Sequence, residues 1–274
     1  MLGKLYVVGT PIGNLGDFSP RAVETLKSVG FLAVEDTRVT VKLLNHFGIS
    51  KEMLSYYEHN KAAKGNLILE RLLRGETCAV VSDAGMPAIS DPGEDLVRLC
   101  YQNGIPVESV PGPSAITTAL SIAGMPTGRF CFEGFLTTQK NGRRQHLQDL
   151  KTEKRTMVFY EAPHKLLATL NDMLATFGER DIAIVRELTK LHETVFHTNF
   201  TQAIEYYTQN TPRGEFVLII SGAKEEEKAY TLSDALSIAK KLVSEGQSTS
   251  FAAKEAANIT GLKKGEIYKS LLEF

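Results

Sequence analysis

Short apolar runs recur along the chain, each feeding a polar or Gly/Pro-rich loop and then a segment of helical periodicity. Residues 5–9 (LYVVG) have the length and β-branched content of a buried strand, as do residues 31–34 (FLAV), 53–57, 77–81 (TCAVV) and 105–110. Amphipathic segments lie between them. Ser19 reads as an N-cap with Pro20 at the first helical position, Ala22, Val23, Leu26 and Val29 form one stripe, and Gly30 stops it. Residues 67–73 lie in a second such segment, and a third begins near Pro92 and carries Leu96, Val97 and Cys100. Strands alternating with helices predict a mainly parallel sheet whose strand-end loops share one rim.

A second set of strands begins near Arg129: residues 129–135 (RFCFEGF), 155–161 (RTMVFYE), 181–188 (DIAIVREL), 193–198 (ETVFHT) and 214–222 (GEFVLIISG). Helical segments between several of them, notably after Pro163, make this a second α/β domain. Residues 223–230 (AKEEEKAY) read as a charged linker. Helical patterns follow at 233–245, 248–258 and 263–272, the last two joined at Gly261 in the manner of a helix-turn-helix, with Lys254, Lys263, Lys264 and Lys269 on or near the exposed face. The expected organisation is an N-terminal α/β domain over 1–115, a second α/β domain over 116–223, and a linker with a small helical appendage over 224–274.

A length of 274 residues suits two domains and an appendage. The formal net charge of -1 supplies no global field, so contact with nucleic acid would rest on local basic patches. Cys78, Cys100 and Cys131 sit in or beside apolar runs without CxxC spacing, which reads as reduced, buried thiols and gives neither a disulfide framework nor a zinc site. The apolar run at 5–8 is far shorter than a signal peptide or a membrane span, and the expected location is the cytoplasm.

The loop at residues 80–93 (VVSDAGMPAISDPG) concentrates the chemistry. Alone it reads as a capped turn in which Asp91 opens a helix with Pro92 at its first position. Residues 9–17 (GTPIGNLGD) and 111–115 (PGPSA) have the same character, and in open α/β sheets ligands gather where strands end. The first loop matches neither GxGxxG nor GxxxxGK[ST], which argues against an NTPase, and HExxH and GxSxG are absent. Gly, Pro and small side chains, with main-chain groups supplying most contacts, suit a flat, polyfunctional, neutral-to-cationic ligand. Residues 137–147 (TTQKNGRRQHL) place Lys140, Arg143 and Arg144 around an Asn-Gly turn: a solvated loop and helix start, or a mobile basic grip on a phosphate backbone.

The ordered set VVGTPIGNLGDFSPRA, VEDTR (34–38), VVSDAGMPAISDPG, VPGPSA, GFL (134–136), FYEAPHKL (159–166) and RELTKLHE (186–193) resembles the tetrapyrrole methylase superfamily, and within it the bacterial ribosomal small subunit methyltransferase I group. The resemblance covers nearly the whole chain, terminal helices included. It implies two α/β domains of the tetrapyrrole methylase type, S-adenosylmethionine folded in the cleft between them, a homodimer, and 16S rRNA or the small ribosomal subunit as partner. The implied reaction is 2'-O-methylation of a cytidine ribose in the decoding region of 16S rRNA. By the same resemblance Asp83, Gly85, Met86, Ile89, Ser90, Ser114 and Ala115 line the cofactor, with Pro11 and Tyr160 beside them. Small residues let the main chain approach the ligand, and prolines fix the loops in advance.

A ribose hydroxyl is a weak nucleophile until it gives up its proton. Glu35, Asp36, Glu161, Glu187 and Lys190 are the ionisable groups of these motifs that could reach the cleft, and Glu161 and Lys190 lead as the base. Arg38 and Arg186 could hold phosphate or orient a carboxylate, and with Lys140, Arg143 and Arg144 they make an RNA-facing set. His164 reads as structural or RNA-facing. Two alternatives compete. Tetrapyrrole-modifying members typically carry GxGPGD and GDP where this chain has GTPIGNLGD and SDAGMP. A ligand-sensing nucleic-acid-binding regulator would need base-reading side chains, and the terminal helices hold few Arg, Asn or Gln residues. The stretch after Arg38 (VTVKLLNHFGI) is also sparsely basic, which limits RNA contact there.

Overall fold

Apolar runs and strands coincide in the computed structural model, which describes residues 1–91, 93–224 and 230–272. The first sheet contains β1 (Leu5–Val8), β2 (Phe31–Val34), β3 (Glu52–Ser55), β4 (Cys78–Val81) and β5 (Val107–Val110) in the order β3-β2-β4-β1-β5. Every pairing in it is parallel. Strands β2 and β4 are buried at every position because helices cover both faces. Leu5, Phe31, Ala33, Cys78 and Val80 face α3 (Lys61–Leu73) and α4 (Gly93–Gln102) through Ile68, Leu72 and Leu96. Their neighbours Val8, Leu32, Val34, Ala79 and Val81 face α1 (Pro20–Ser28) and α2 (Thr37–His46) through Ala22, Leu26 and Leu44. The expected cap at Ser19 is present, its hydroxyl accepting the Ala22 N–H at 3.1 Å.

The second sheet contains β6 (Phe130–Phe135), β7 (Thr156–Glu161), β8 (Asp181–Arg186), β9 (Thr194–Asn199) and β10 (Phe216–Ile220) in the order β6-β7-β10-β8-β9. Only β6 and β7 pair in parallel; the other pairings are antiparallel. One face packs on α5 (Ala115–Ile122) through Ile116, Ala119 and Leu120, joined by Ile12 from the first loop and by Leu188. The other packs on α7 (Leu166–Phe177) and α8 (Phe200–Gln209), with Leu147 of α6 (Lys140–Asp149) beside them.

The basic segment differs from its expectation. Asn141 and Gly142 lie in the first turn of α6 and make no loop turn. Arg143 consequently points inward: it is 8% exposed, and its guanidinium donates to the Asp172 carboxylate of α7 at 2.6 and 2.8 Å. A buried guanidinium held this way cannot grip a phosphate, so Arg143 belongs to the scaffold. Lys140 and Arg144 remain exposed.

The chain divides into two compact units, Met1–Ala223 and Lys224–Phe274. Both sheets belong to the first, and the expected boundary at 115/116 falls at the start of α5. The second unit holds α9 (Leu232–Ser244), α10 (Thr249–Thr260) and α11 (Lys264–Leu272) around Ala235, Ala239, Ala252, Ala253, Ala256 and Ile267. Gly261 closes α10 in the left-handed conformation at φ +69°. Lys254, Lys263, Lys264 and Lys269 are all exposed. The helix position expected for Pro92 and most of the charged linker, 225–229, lie outside the described residues. Among the described residues no helix is long and apolar enough to cross a membrane.

Candidate functional site

Three strand-end loops of the first sheet interlock. A Cβ on Gly9 would lie 2.6 Å from the Met86 sulfur and 2.7 Å from the Gly112 main chain, so residues 9–17, 82–91 and 111–114 meet where only glycine fits. Thr10 and Gly85 exchange main-chain hydrogen bonds at 2.9 and 3.2 Å, and the Thr10 hydroxyl donates to the Ser82 carbonyl at 3.2 Å. Gly13, at φ +149°, lies against the Lys190 side chain, which ties the first loop to residues 187–193 of the second half.

Between these loops and the second sheet lies a cavity of about 330 Å³, within the range of small-molecule sites. Its first wall is Ile12 together with Ala84, Gly85, Met86, Ile89, Ser114 and Ala115. Tyr160, Glu161, Ala162 and Pro163 extend from β7 on the opposite side, and Val185, Leu188, Glu215, Phe216 and Val217 close the base, with Phe135 at the rim. The Tyr160 ring is fixed between Phe132 and Phe135, at centroid distances of 5.0 and 5.4 Å.

Of the residues expected at the cofactor, Gly85, Met86, Ile89, Ser114, Ala115 and Tyr160 line this cavity, whereas Pro11, Asp83 and Ser90 are not in its wall. Pro11 yields its place to Ile12. Ser90, at φ +63°, lies against Gly134 of β6. Asp91 holds the central loop instead, one carboxylate oxygen accepting the N–H groups of Ala88 at 2.9 Å and Gly93 at 2.7 Å. Sequence reasoning missed Phe135, Leu188 and the start of β10 as wall residues, because apolar side chains in or just beyond strands read as core. The available signal was the Gly214-Glu215 pair opening β10 beside the RELTKLHE motif.

Asp83 belongs to a carboxylate group beside the cavity. It accepts the Asp36 N–H at 3.1 Å, and its own N–H reaches Glu35 at 3.4 Å. Glu35 and Asp83 both stand at exposed positions; partial desolvation, followed by neighbouring negative charge and opposed by the main-chain hydrogen bond each accepts, raises the pKa of each. Asp36 goes the other way, held down at about 2 by hydrogen bonds from Arg38, whose side chain is itself exposed.

Neither expected base is free. Glu161 is 3% exposed and accepts the Thr169 hydroxyl, its neighbour Ala162 N–H at 2.8 Å, and approaches Lys165 at 3.6 Å. Lys190 lies outside the cavity wall, donating to Glu187 at 2.9 Å and to Glu215 at 2.8 Å. Burial pulls its pKa down, but the two carboxylates outweigh that and hold it above the ordinary lysine value. Lys190 is thus a protonated cation in a carboxylate clamp. Glu187 and Thr189 carry positive φ angles of 53° and 63°, so this loop is locally strained. His164 is exposed just before α7 and is absent from the wall.

The family described as Tetrapyrrole (Corrin/Porphyrin) Methylases matches residues 4–204. A ribosomal RNA small subunit methyltransferase I from Synechocystis is 46% identical over 274 residues, covering 99% of this chain and 98% of the relative. One of the same name from Thermotoga maritima is 48% identical over 221 residues, covering 81% of this chain and 99% of its own length. Among solved structures, a uroporphyrin-III C-methyl transferase from Thermus thermophilus complexed with S-adenyl homocysteine shares the fold, with a TM-score of 0.57 at 18% identity over 80% of this chain and 97% of that one. Paired sheets, interlocked loops and full-length similarity converge: the chain is a member of the tetrapyrrole methylase family, in the branch of its ribosomal RNA small subunit methyltransferase I relatives.

Proposed function

We propose that the protein is an S-adenosylmethionine-dependent methyltransferase acting on the ribosomal RNA of the small subunit, at the 2'-hydroxyl of a cytidine ribose in the decoding region. The observation that carries this reading is the cavity closed by glycine-tight loops of the first sheet and by the strand ends of the second. Its residues fit the cofactor. Gly85, Ala84, Ser114 and Ala115 let main chain approach a nucleoside, Tyr160 and Phe135 offer ring faces, and Met86, Leu188 and Val217 supply an apolar floor. When bound, the cofactor supplies an electrophilic methyl group on a sulfonium.

The protein's own contribution is positional. In-line transfer depends on fixed geometry, and a rigid wall supplies much of the acceleration. Glu161 pins the Ala162–Pro163 segment of that wall through its bonds to Ala162 and Thr169. Lys190 holds the Glu215 carboxylate, a cavity-lining group whose side chain is 79% exposed, where an acceptor hydroxyl could give up its proton to it. Lys140 and Arg186 are cations open to RNA phosphates, Arg38 and Arg144 stand exposed beside their partners Asp36 and Asp172, and Asp83 shapes the loop from outside. The enzyme works in the cytoplasm as a homodimer, which light scattering checks.

The test is transfer of labelled methyl from S-adenosylmethionine into small subunits from cells lacking this protein, with mass mapping of the product. A methylated cytidine ribose supports the proposal. Label on a base, in a porphyrin precursor, or nowhere overturns it.

A further inference from the structure

A second cavity, of about 550 Å³, opens near the same end of the second sheet and is lined by Arg186, Thr194, Phe196, Tyr206, Tyr207 and residues 209–213. Its chemistry is unlike that of the first. Tyr206 is 47% exposed and meets Phe196 and Tyr207 at ring-centroid distances of 5.0 Å each, so a rigid aromatic cluster stands open to solvent. The amides of Gln209 and Asn210 and the Thr211 hydroxyl lie beside it. Two guanidiniums complete the wall. Arg186 donates through Nε to the Arg213 carbonyl at 2.8 Å, which fixes strand to loop, and among the described residues no carboxylate pairs with either arginine.

The place of this cavity in the sheet gives it meaning. Successive strand residues point to opposite faces. On β8, Val185 lines the first cavity and the next residue, Arg186, lines the second. Phe216 of β10 pairs with Arg186 and lines the first cavity, while its ring lies 5.8 Å from that of Tyr207. The two cavities stand back to back across the same strand ends, so a chain entering one can pass round the rim into the other.

We infer that the Arg186–Tyr206–Arg213 cavity captures an unpaired nucleotide of single-stranded RNA flanking the acceptor, its base stacked on Tyr206 and its phosphate held by Arg213 and Arg186. The inference rests on the RNA reading of the first cavity. Ring stacking tolerates any base, and the amides of Gln209 and Asn210 can bond to base edges. Guanidiniums with no carboxylate in salt-bridge contact, set beside an aromatic face, suit a nucleotide better than a neutral ligand, even with the Glu187 charge acting on Arg186.

Fluorescence anisotropy with labelled oligocytidylate tests it. Tyr206→Ala should weaken binding by roughly five- to a hundredfold, and Tyr206→Phe should restore it. Arg213→Ala should flatten the slope of log affinity against log salt by about 0.7, while S-adenosylmethionine affinity and thermal melting stay at wild-type values. Wild-type affinity in Tyr206→Ala and Arg213→Ala, or no oligocytidylate binding by the wild type, overturns the inference. Methyl transfer into small subunits is read alongside. Transfer with oligocytidylate affinity and KM both indifferent to Tyr206 rejects this cavity and leaves the acceptor reading standing. Tyr206-dependent binding without transfer does the reverse.

Discussion

Gly9 and Gly112 touch main chain to main chain: a Cβ on Gly112 would lie 2.8 Å from the carbonyl carbon and oxygen of Gly9. Backbone cannot yield as a flexible side-chain tip can, so the contact fixes the spacing of the β1 and β5 loops. Gly112→Ala should therefore cost about 1–3 kcal/mol of stability and about tenfold or more in S-adenosylmethionine affinity. Calorimetric titration and thermal melting read the two effects separately.

Arg143 and Asp172 form a buried pair with side-chain exposures of 10% and 9%. Removing Arg143 leaves the buried Asp172 carboxylate with only the exposed Arg144, at 3.2 Å, so Arg143→Ala should lose about 3 kcal/mol in urea unfolding. Its neighbour Arg144 has a side chain 55% exposed, and Arg144→Ala should cost no more than about 1 kcal/mol. Although burial raises the Asp172 pKa, the two arginines outweigh it and hold the group below the ordinary aspartate value. The stability it contributes is present above that ordinary value and lost as pH falls through the depressed one. The deficit of Arg143→Ala should shrink in acid accordingly.

The carboxylate group beside the cavity has the opposite sign. Glu35 has a folded-state pKa raised by burial and then by Asp83, Asp91 and Asp36. Its favourable contribution is complete below the ordinary glutamate value and disappears as pH rises through the raised one, so at neutral pH the ionised group opposes folding. Glu35→Gln should melt higher than wild type at neutral pH, and the two curves should converge in acid. A mutant that melts lower at neutral pH would contradict this assignment.

Lys190 is the hydrogen-bond partner that chiefly lowers the Glu187 pKa. Lys190→Met should let the Glu187 pKa rise, loosen the hold on the Glu215 carboxylate beside the cavity, and lower the rate of methyl transfer while leaving S-adenosylmethionine affinity near wild type. Lys190→Arg should restore part of the rate. A rate unchanged in Lys190→Met would reduce Lys190 to an ordinary loop brace.

Much of this was legible in the sequence for a physical reason. Residues 31–34 and 78–81 are buried on both faces, so their apolar runs are unbroken, and Gly and Pro mark the loops that interlock. The helix over 140–149 was less visible, because Asn141-Gly142 is a turn signal that the Arg143–Asp172 pair overrides. Nor does local pattern reveal that β10 enters the second sheet antiparallel between β7 and β8. That insertion brings Glu215, Phe216 and Val217 into the cavity, where they read in isolation as interior packing. Pro11, Asp83 and Ser90 illustrate the converse: they share motifs with the cavity-lining residues without being part of the wall.

The central position of β10 has a consequence for how the molecule comes into being. A nascent polypeptide that has emerged only as far as α8 owns both flanks of the second sheet but not the strand that joins them. Until residues 216–220 arrive, β7 and β8 have no common neighbour, and the pocket that needs Phe216 and Val217 has no floor. Among the described residues β10 is the last strand in chain order, so the part of the cavity wall that it supplies is the last to be made.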